Sequence, residues 1–309
     1  MISLQQSLED QKDLVALCRP KTENRNELFS PNDNYGFAHA MKRYSGYPVT
    51  ESLHATFPHG MYLFDKLVLE SELYANFGVH LNFPPQLMPA WKKATSNKKI
   101  MPFAAPIHYV LKQFKNEVPQ GERRGTLFVP VHGTDKVEVK FDRETVIKEL
   151  RDLPEEFHPI TLCVHWSDVK RGQHLEFQKL GFNVVCAGHT FDYLFVYRWL
   201  HLASQFKLLA GCGIGSSLFY SVLLGVPYYL TEEDIVAERT PDFKPFNKTG
   251  KEYSPQGLKK LQAIRKLFGE PLTEISRAQR DLVNLYTHKE LVKSPEALYK
   301  LFQSLKRYE

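Results

Sequence analysis

KLLAGCGIGSSLFYSVLLGVPYYL, residues 207–230, is the stretch whose reading decides the fold. No charge occurs between Leu208 and Leu230, so its length alone would suit a membrane span. Its internal order points elsewhere. Lys207 to Ala210 reads as a short buried strand, and Gly211, Gly213 and Gly215 are too closely spaced to continue a strand or a helix. Ser216 and Ser217 are expected to cap a helix whose apolar face carries Leu218, Phe219, Val222 and Leu223. Gly225 stands where a helix ends, and Val226 to Leu230 begins another strand. Strand, glycine loop, helix and strand form a βαβ unit of a parallel sheet. Such a loop aims backbone N–H groups and the positive end of a helix dipole at one point, which suits a phosphate-bearing ligand. The plainer alternative is a tight turn needed only for packing.

Working outward, the same alternation continues upstream. Strands are predicted at 126–131, 160–165 and 183–187, with helices at 143–151, 173–180 and 193–205 between them. That rhythm implies a doubly wound, mainly parallel sheet. The polar run KNEVPQGERR, residues 115–124, reads as a linker. Before it, 1–28 suggests an amphipathic helix with a polar connector, 30–36 a turn, 37–43 a helix and 51–57 a strand running into Pro58-His59-Gly60. After residue 232 come a polar loop and three helices near 255–268, 272–286 and 295–307.

Composition bounds the function. The chain of 309 residues is 43% hydrophobic and 24% charged, enough for about two domains. A net charge of +5 fits anionic small ligands and is too weak to imply nucleic-acid binding. Four scattered cysteines (18, 163, 186 and 212) form no CxxC pair, which argues against a zinc or redox motif and for a reducing compartment. The N-terminal residues lack a signal-peptide pattern, so a cytoplasmic location is expected.

Three segments carry a family resemblance: TLFVPVHGT (126–134), GIGSSLFYSVLLGVP (213–227) and, more loosely, 56–60 with 98–109. The chain resembles GT-B-fold glycosyltransferases of bacterial capsule and lipopolysaccharide assembly. The resemblance implies an α/β fold of two Rossmann-like parallel-sheet domains facing a cleft, with a helical C-terminal tail. The units would be an acceptor-side domain at 1–115, a linker at 116–124, a nucleotide-sugar domain at 125–255 and helices at 256–309. It implies a nucleotide-sugar donor as substrate, with no cofactor, and a glycan or lipid-linked glycan acceptor at the inner membrane face. Donor contacts would come from Gly213, Gly215, Ser216 and Ser217 and from His132, Gly133 and Thr134; His189 and Glu233, each just after a predicted strand, are further donor-side candidates by their place at the sheet edge. Many relatives place a ribose-binding glutamate where this chain has Tyr220. That departure leaves a cytidine-monophosphate sugar open, and His158-Pro159 resembles the His-Pro motif of such enzymes.

Inverting transfer needs a base at the acceptor hydroxyl and positive potential at the leaving phosphate. His59, at a predicted strand end beside a glycine, is the first candidate for the base, and Asp33 is the second. His165, like His189, closes a predicted strand at the same sheet edge. No DxD-like acidic pair follows a strand, so a metal-independent mechanism is expected, with no metal ligands assigned. Three other readings stay open: polyol-phosphate transfer of the teichoic-acid type, non-hydrolysing sugar-nucleotide epimerisation, and an inactive glycan-binding protein.

Overall fold

The computed structural model describes residues 2–63, 65, 66, 68–114, 122–133, 137–140, 142–232, 236–239 and 253–308. In the first half, short helices α1 (Leu4–Glu9) and α2 (Leu14–Leu17) are followed by α3 (Phe37–Ser45) and α4 (Glu70–Leu73). Strand β1 (Val79–Asn82), helix α5 (Met88–Ala94), strand β2 (Lys99–Pro102) and helix α6 (Ile107–Phe114) complete it. The second half runs β3 (Thr126–Phe128), β4 (Val137–Lys140), α7 (Arg143–Arg151), β5 (Ile160–Val164), α8 (Trp166–Lys170), α9 (Gln173–Lys179) and β6 (Asn183–Cys186). It continues with α10 (Phe195–Ala203), β7 (Leu208–Gly211), α11 (Ser216–Leu224), β8 (Tyr228–Leu230) and β9 (Val236–Arg239). Helices α12 (Pro255–Phe268), α13 (Arg277–Tyr286) and α14 (Pro295–Leu305) close the chain.

The main sheet has five parallel strands in the order β6-β5-β3-β7-β8. Because side chains alternate along a strand, each one feeds two cores. Leu208, Ala210, Leu162, Val184 and Tyr229 face one core, shared with Val146 and Leu150 of α7 and Phe177 of α9. Leu209, Cys163, Val185 and Tyr228 face the other, shared with α10, α11, α13 and the first half. Burial on both faces is why residues 208–230 carry no charge. Helix α11 lies between the sheet and α13, with Leu218, Phe219, Tyr220, Ser221, Val222 and Leu224 all buried. It ends at Gly225 in the left-handed conformation (φ 78°), and Gly211 sits so close to Tyr228 Oη and Val129 O that a Cβ there would collide with both.

Three expectations change. The serines do not cap α11: Gly215 is the N-cap and makes no side-chain bond, while Ser216 and Ser217 are the first helical residues. Residues 1–28 form not one helix but α1, a 3₁₀ turn and α2, because Ser3 Oγ caps the first helix and Asp13 the second. The predicted strand at 51–57 shrinks to one parallel bridge between Thr56 and His80. A buried ion pair takes the backbone groups that a strand would have used. Lys42 Nζ lies 2.6 Å from Glu27 Oε1 and donates to the carbonyls of Val49 and Glu51, and Glu27 Oε2 accepts the N–H of Leu53.

The first half contributes a parallel pair, β1 with β2. The termini cross over between the halves. Leu14 and Leu17 of α2 pack on the main sheet, and Arg198 of α10 pairs with Asp10 at 2.9 Å. At the other end, His108 Nε2 lies 2.9 Å from Thr287 Oγ1, Tyr44 donates to Lys293 O, and Lys99 Nζ donates to Tyr308 Oη. No helix among the described residues is long and apolar enough to cross a membrane.

Candidate functional site

Strand order reverses direction at β3, whose neighbours β5 and β7 lead the chain to opposite sides of the sheet. Loops leaving two such strands diverge and leave a crevice at the C-terminal edge. A cavity of about 520 Å³ occupies that place. Its floor is Val129–His132 after β3, Cys163–His165 at the end of β5, and Gly213–Ser217 at the tip of α11. Its roof comes from the first half: Tyr35, Phe37 and His59–Tyr62. Phe195, Trp199 and Tyr220 form an aromatic wall.

The tip of α11 is engaged from both sides. Ser216 Oγ accepts the N–H of Met61 at 3.0 Å. Ser217 Oγ lies 3.2 Å from Tyr228 Oη. Gly213 and Gly215 line the cavity beside them, and a Cβ on Gly215 would meet open space. The positive end of the helix dipole therefore faces the cavity.

His59 lies across the cavity. Its Nδ1 is 3.2 Å from Tyr62 Oη, and burial lowers the imidazole to about 4, so the ring is neutral at pH 7. Tyr35, held by its N–H to Thr190 O at 2.6 Å, places its ring 6.1 Å from that of His59 and 4.8 Å from that of Phe195. The structure does not bring Asp33 to the cavity. Its buried carboxylate accepts the N–H groups of Asn26 and Glu27, both at 3.2 Å, which fixes the turn.

Of the remaining sequence candidates, His132 lines the cavity, and the Gly133 carbonyl lies behind it, accepting from His132 Nδ1 at 2.9 Å. His189 is buried behind Trp166, ring centres 4.3 Å apart, and its Nδ1 accepts the N–H of Phe191. Thr134 and Glu233 lie outside the described residues. His158-Pro159 precedes β5 at the opposite edge of the sheet, where His158 Nε2 meets Leu153 O at 3.0 Å. His165 does reach the cavity, stacked on His132 with ring centres 3.6 Å apart. Tyr35 and Tyr62 carried no sequence signal: each lies in an irregular segment that gains meaning only once the halves meet. Among the described residues no group of three or more His, Cys, Asp or Glu side chains is arranged to hold a metal ion.

Neither a family model nor a curated protein matches the chain. Among solved structures, the chain is similar to the wall teichoic acid polymerase TagF, at 14% identity and a TM-score of 0.43, over 82% of this chain and 67% of that one.

Proposed function

We propose that the chain is a GT-B-type glycosyltransferase, moving a sugar from a nucleotide-sugar donor to a glycan or lipid-linked glycan acceptor with inversion and without a metal. The observation that carries this reading is the open cavity at the strand-order reversal, with the tip of α11 on one side and His59 on the other. In the proposal the donor phosphate meets the N–H groups of Ser216 and Ser217 and the adjoining hydroxyls, which stabilise charge as the sugar–phosphate bond breaks. A neutral His59 accepts the proton of the attacking hydroxyl. The units run 1–115, 116–124, 125–255 and 256–309, with residues 2–18 crossing to pack on the nucleotide unit.

A thermal-unfolding screen with uridine, guanosine, cytidine and thymidine diphosphates, cytidine monophosphate and the sugar forms of each tests the reading, because a bound donor raises the transition temperature by mass action. A shift with at least one sugar nucleotide, followed by release of its nucleotide during turnover, supports it. No shift with any of them sinks it.

A further inference from the structure

We propose that His132 and His165 form a hydroxyl-binding subsite of the cavity. In it His132 Nε2 accepts a hydrogen bond from a sugar or polyol hydroxyl, and His165 is the positioning residue that holds the His132 ring. The subsite deepens the transferase reading and rests on it for the source of the hydroxyl.

The orientation of His132 is set by the backbone. A carbonyl oxygen only accepts, so the ring nitrogen 2.9 Å from Gly133 O, Nδ1, carries the proton. Burial keeps the imidazole below its ordinary range, hence neutral, and Nε2 retains its lone pair. The ring of His165 lies almost parallel to it, 12° between planes. His165 Nδ1 is 2.8 Å from Ser167 Oγ, and that hydroxyl donates to the same Gly133 O at 3.1 Å. Both rings thus turn their Nδ1 edges to one carbonyl and their Nε2 edges to its far side. His165 Nε2 is shielded from solvent and has no hydrogen-bond partner among the described residues.

The lone pair decides the ligand class. Nε2 of His132 has no proton to offer a phosphate oxygen, and a phosphate oxygen has none to offer it. A hydroxyl donates readily. The cavity is therefore divided, with the anionic part of the ligand at Ser216 and its neutral hydroxylated part at the histidines. Two portions of a donor carry such hydroxyls, the ribose and the transferred sugar or polyol, and the probes below separate them.

In full-length protein labelled with nitrogen-15, long-range proton–nitrogen correlations are expected to show His132 protonated at Nδ1. Ser167→Ala, which takes the hydroxyl from beside His165 Nδ1, is expected to raise the share of the Nε2–H form of His165 and to leave His132 protonated at Nδ1. A proton on Nε2 of His132 in the unmodified protein overturns the proposal whatever binds. Calorimetric titrations then use uridine diphosphate glucose, cytidine diphosphate glycerol, the bare diphosphates and their 2′,3′-dideoxy forms. His132→Phe keeps the stack and is expected to weaken a hydroxyl-bearing ligand about tenfold. His132→Gln, which retains an acceptor oxygen, is expected to recover part of that loss. Weakening confined to glucose- or glycerol-bearing ligands assigns the transferred group. Weakening of bare diphosphates but not of their dideoxy forms assigns the ribose. Unchanged affinity for every nucleotide that the wild type binds overturns the subsite and leaves the donor reading standing. If the wild type binds none, the donor reading falls and free glucose and glycerol become the probes. A shift of the His132 Nε2 resonance then supports the subsite, and no shift overturns it.

Discussion

The backbone N–H of Met61 donates to Ser216 Oγ at 3.0 Å, joining the loop that carries His59 directly to the first residue of α11. The proposed base and the proposed phosphate site are thus held in register by one hydrogen bond between the halves. Ser216→Ala is expected to weaken nucleotide binding about tenfold and to cost about 1 kcal/mol of stability. Ser217, whose hydroxyl faces Tyr228, is expected to matter less for binding. Calorimetry and urea unfolding of the two single variants check both statements; unchanged donor affinity in Ser216→Ala removes it from the phosphate site.

His59→Ala is expected to lower turnover by two orders of magnitude or more, in line with loss of a general base, while changing donor affinity little. Since burial lowers this imidazole to about 4, the acid limb of kcat should fall near pH 4 and not near 6.5. Rates measured from pH 4.5 to 8 should therefore be nearly flat. A midpoint close to 6.5 would assign the base elsewhere.

Stability should pass through a maximum just below neutrality. Burial lowers His39, His59 and His108 to about 4 and His80 to about 3. Between those values and 6.5 the unfolded chain binds more protons than the folded one, so stability present above 6.5 is lost as pH falls. Fully buried His80, with the lowest of these values, accounts for the largest single share of this. Glu72 acts with the opposite sign. Burial raises its carboxyl to about 8, so its contribution is whole below 4.5 and is lost as pH rises through 8. Urea unfolding across pH 4.5–9 should show both limbs, and Glu72→Gln should flatten the alkaline one and steepen the acid one.

Lys42→Met is expected to cost about 3–5 kcal/mol, because it strands the carboxylate of Glu27 in a site where both side chains are almost fully enclosed (2% and 0% exposed). Adding Glu27→Leu should recover part of the loss. The same measurement in a variant keeping Glu27 but losing His59 should show no such rescue, since the pair shapes 49–53 and not the cavity.

All four cysteines are buried, and Cys18 Sγ lies 3.3 Å from Cys186 Sγ. Their mutual hydrogen bond and then burial raise the Cys18 thiol far above its ordinary value. Thiol reagents should label none of the four in the native protein at pH 8 and all four in urea, as counted by intact mass. Rapid native labelling of Cys18 would show that α2 leaves the sheet.

Much of the second half was legible because apolar runs, glycines and polar gaps repeat there at the lengths of strands and helices. Leu208–Leu230 shows why: two buried sheet faces leave no room for charge, and Gly225 marks the turn chemically. The first half is less legible. Ser52–Phe57 has the composition of a strand, yet Glu27, distant in sequence, takes the N–H of Leu53, and Lys42 takes the carbonyls of Val49 and Glu51 just before it. The site followed the same division. Ser216 and His132 stand at or beside glycine-marked ends of elements and His59 beside Gly60, whereas Tyr35, Tyr62 and the role of Gly133 O depend on contacts between distant segments that no local pattern encodes. Asp33 fell to the commoner fate of an aspartate in a turn.

The exchange of termini bears on how the cavity could ever widen. Each half wears a strap made from the far end of the polypeptide: residues 2–18 on one side, and the segment ending at Tyr308 on the other. A hinge motion must drag both straps along or peel them away. Nicking the backbone within 115–124 should accordingly yield not two free-standing modules but a clipped protein whose pieces stay together, each borrowing part of its interior from the other.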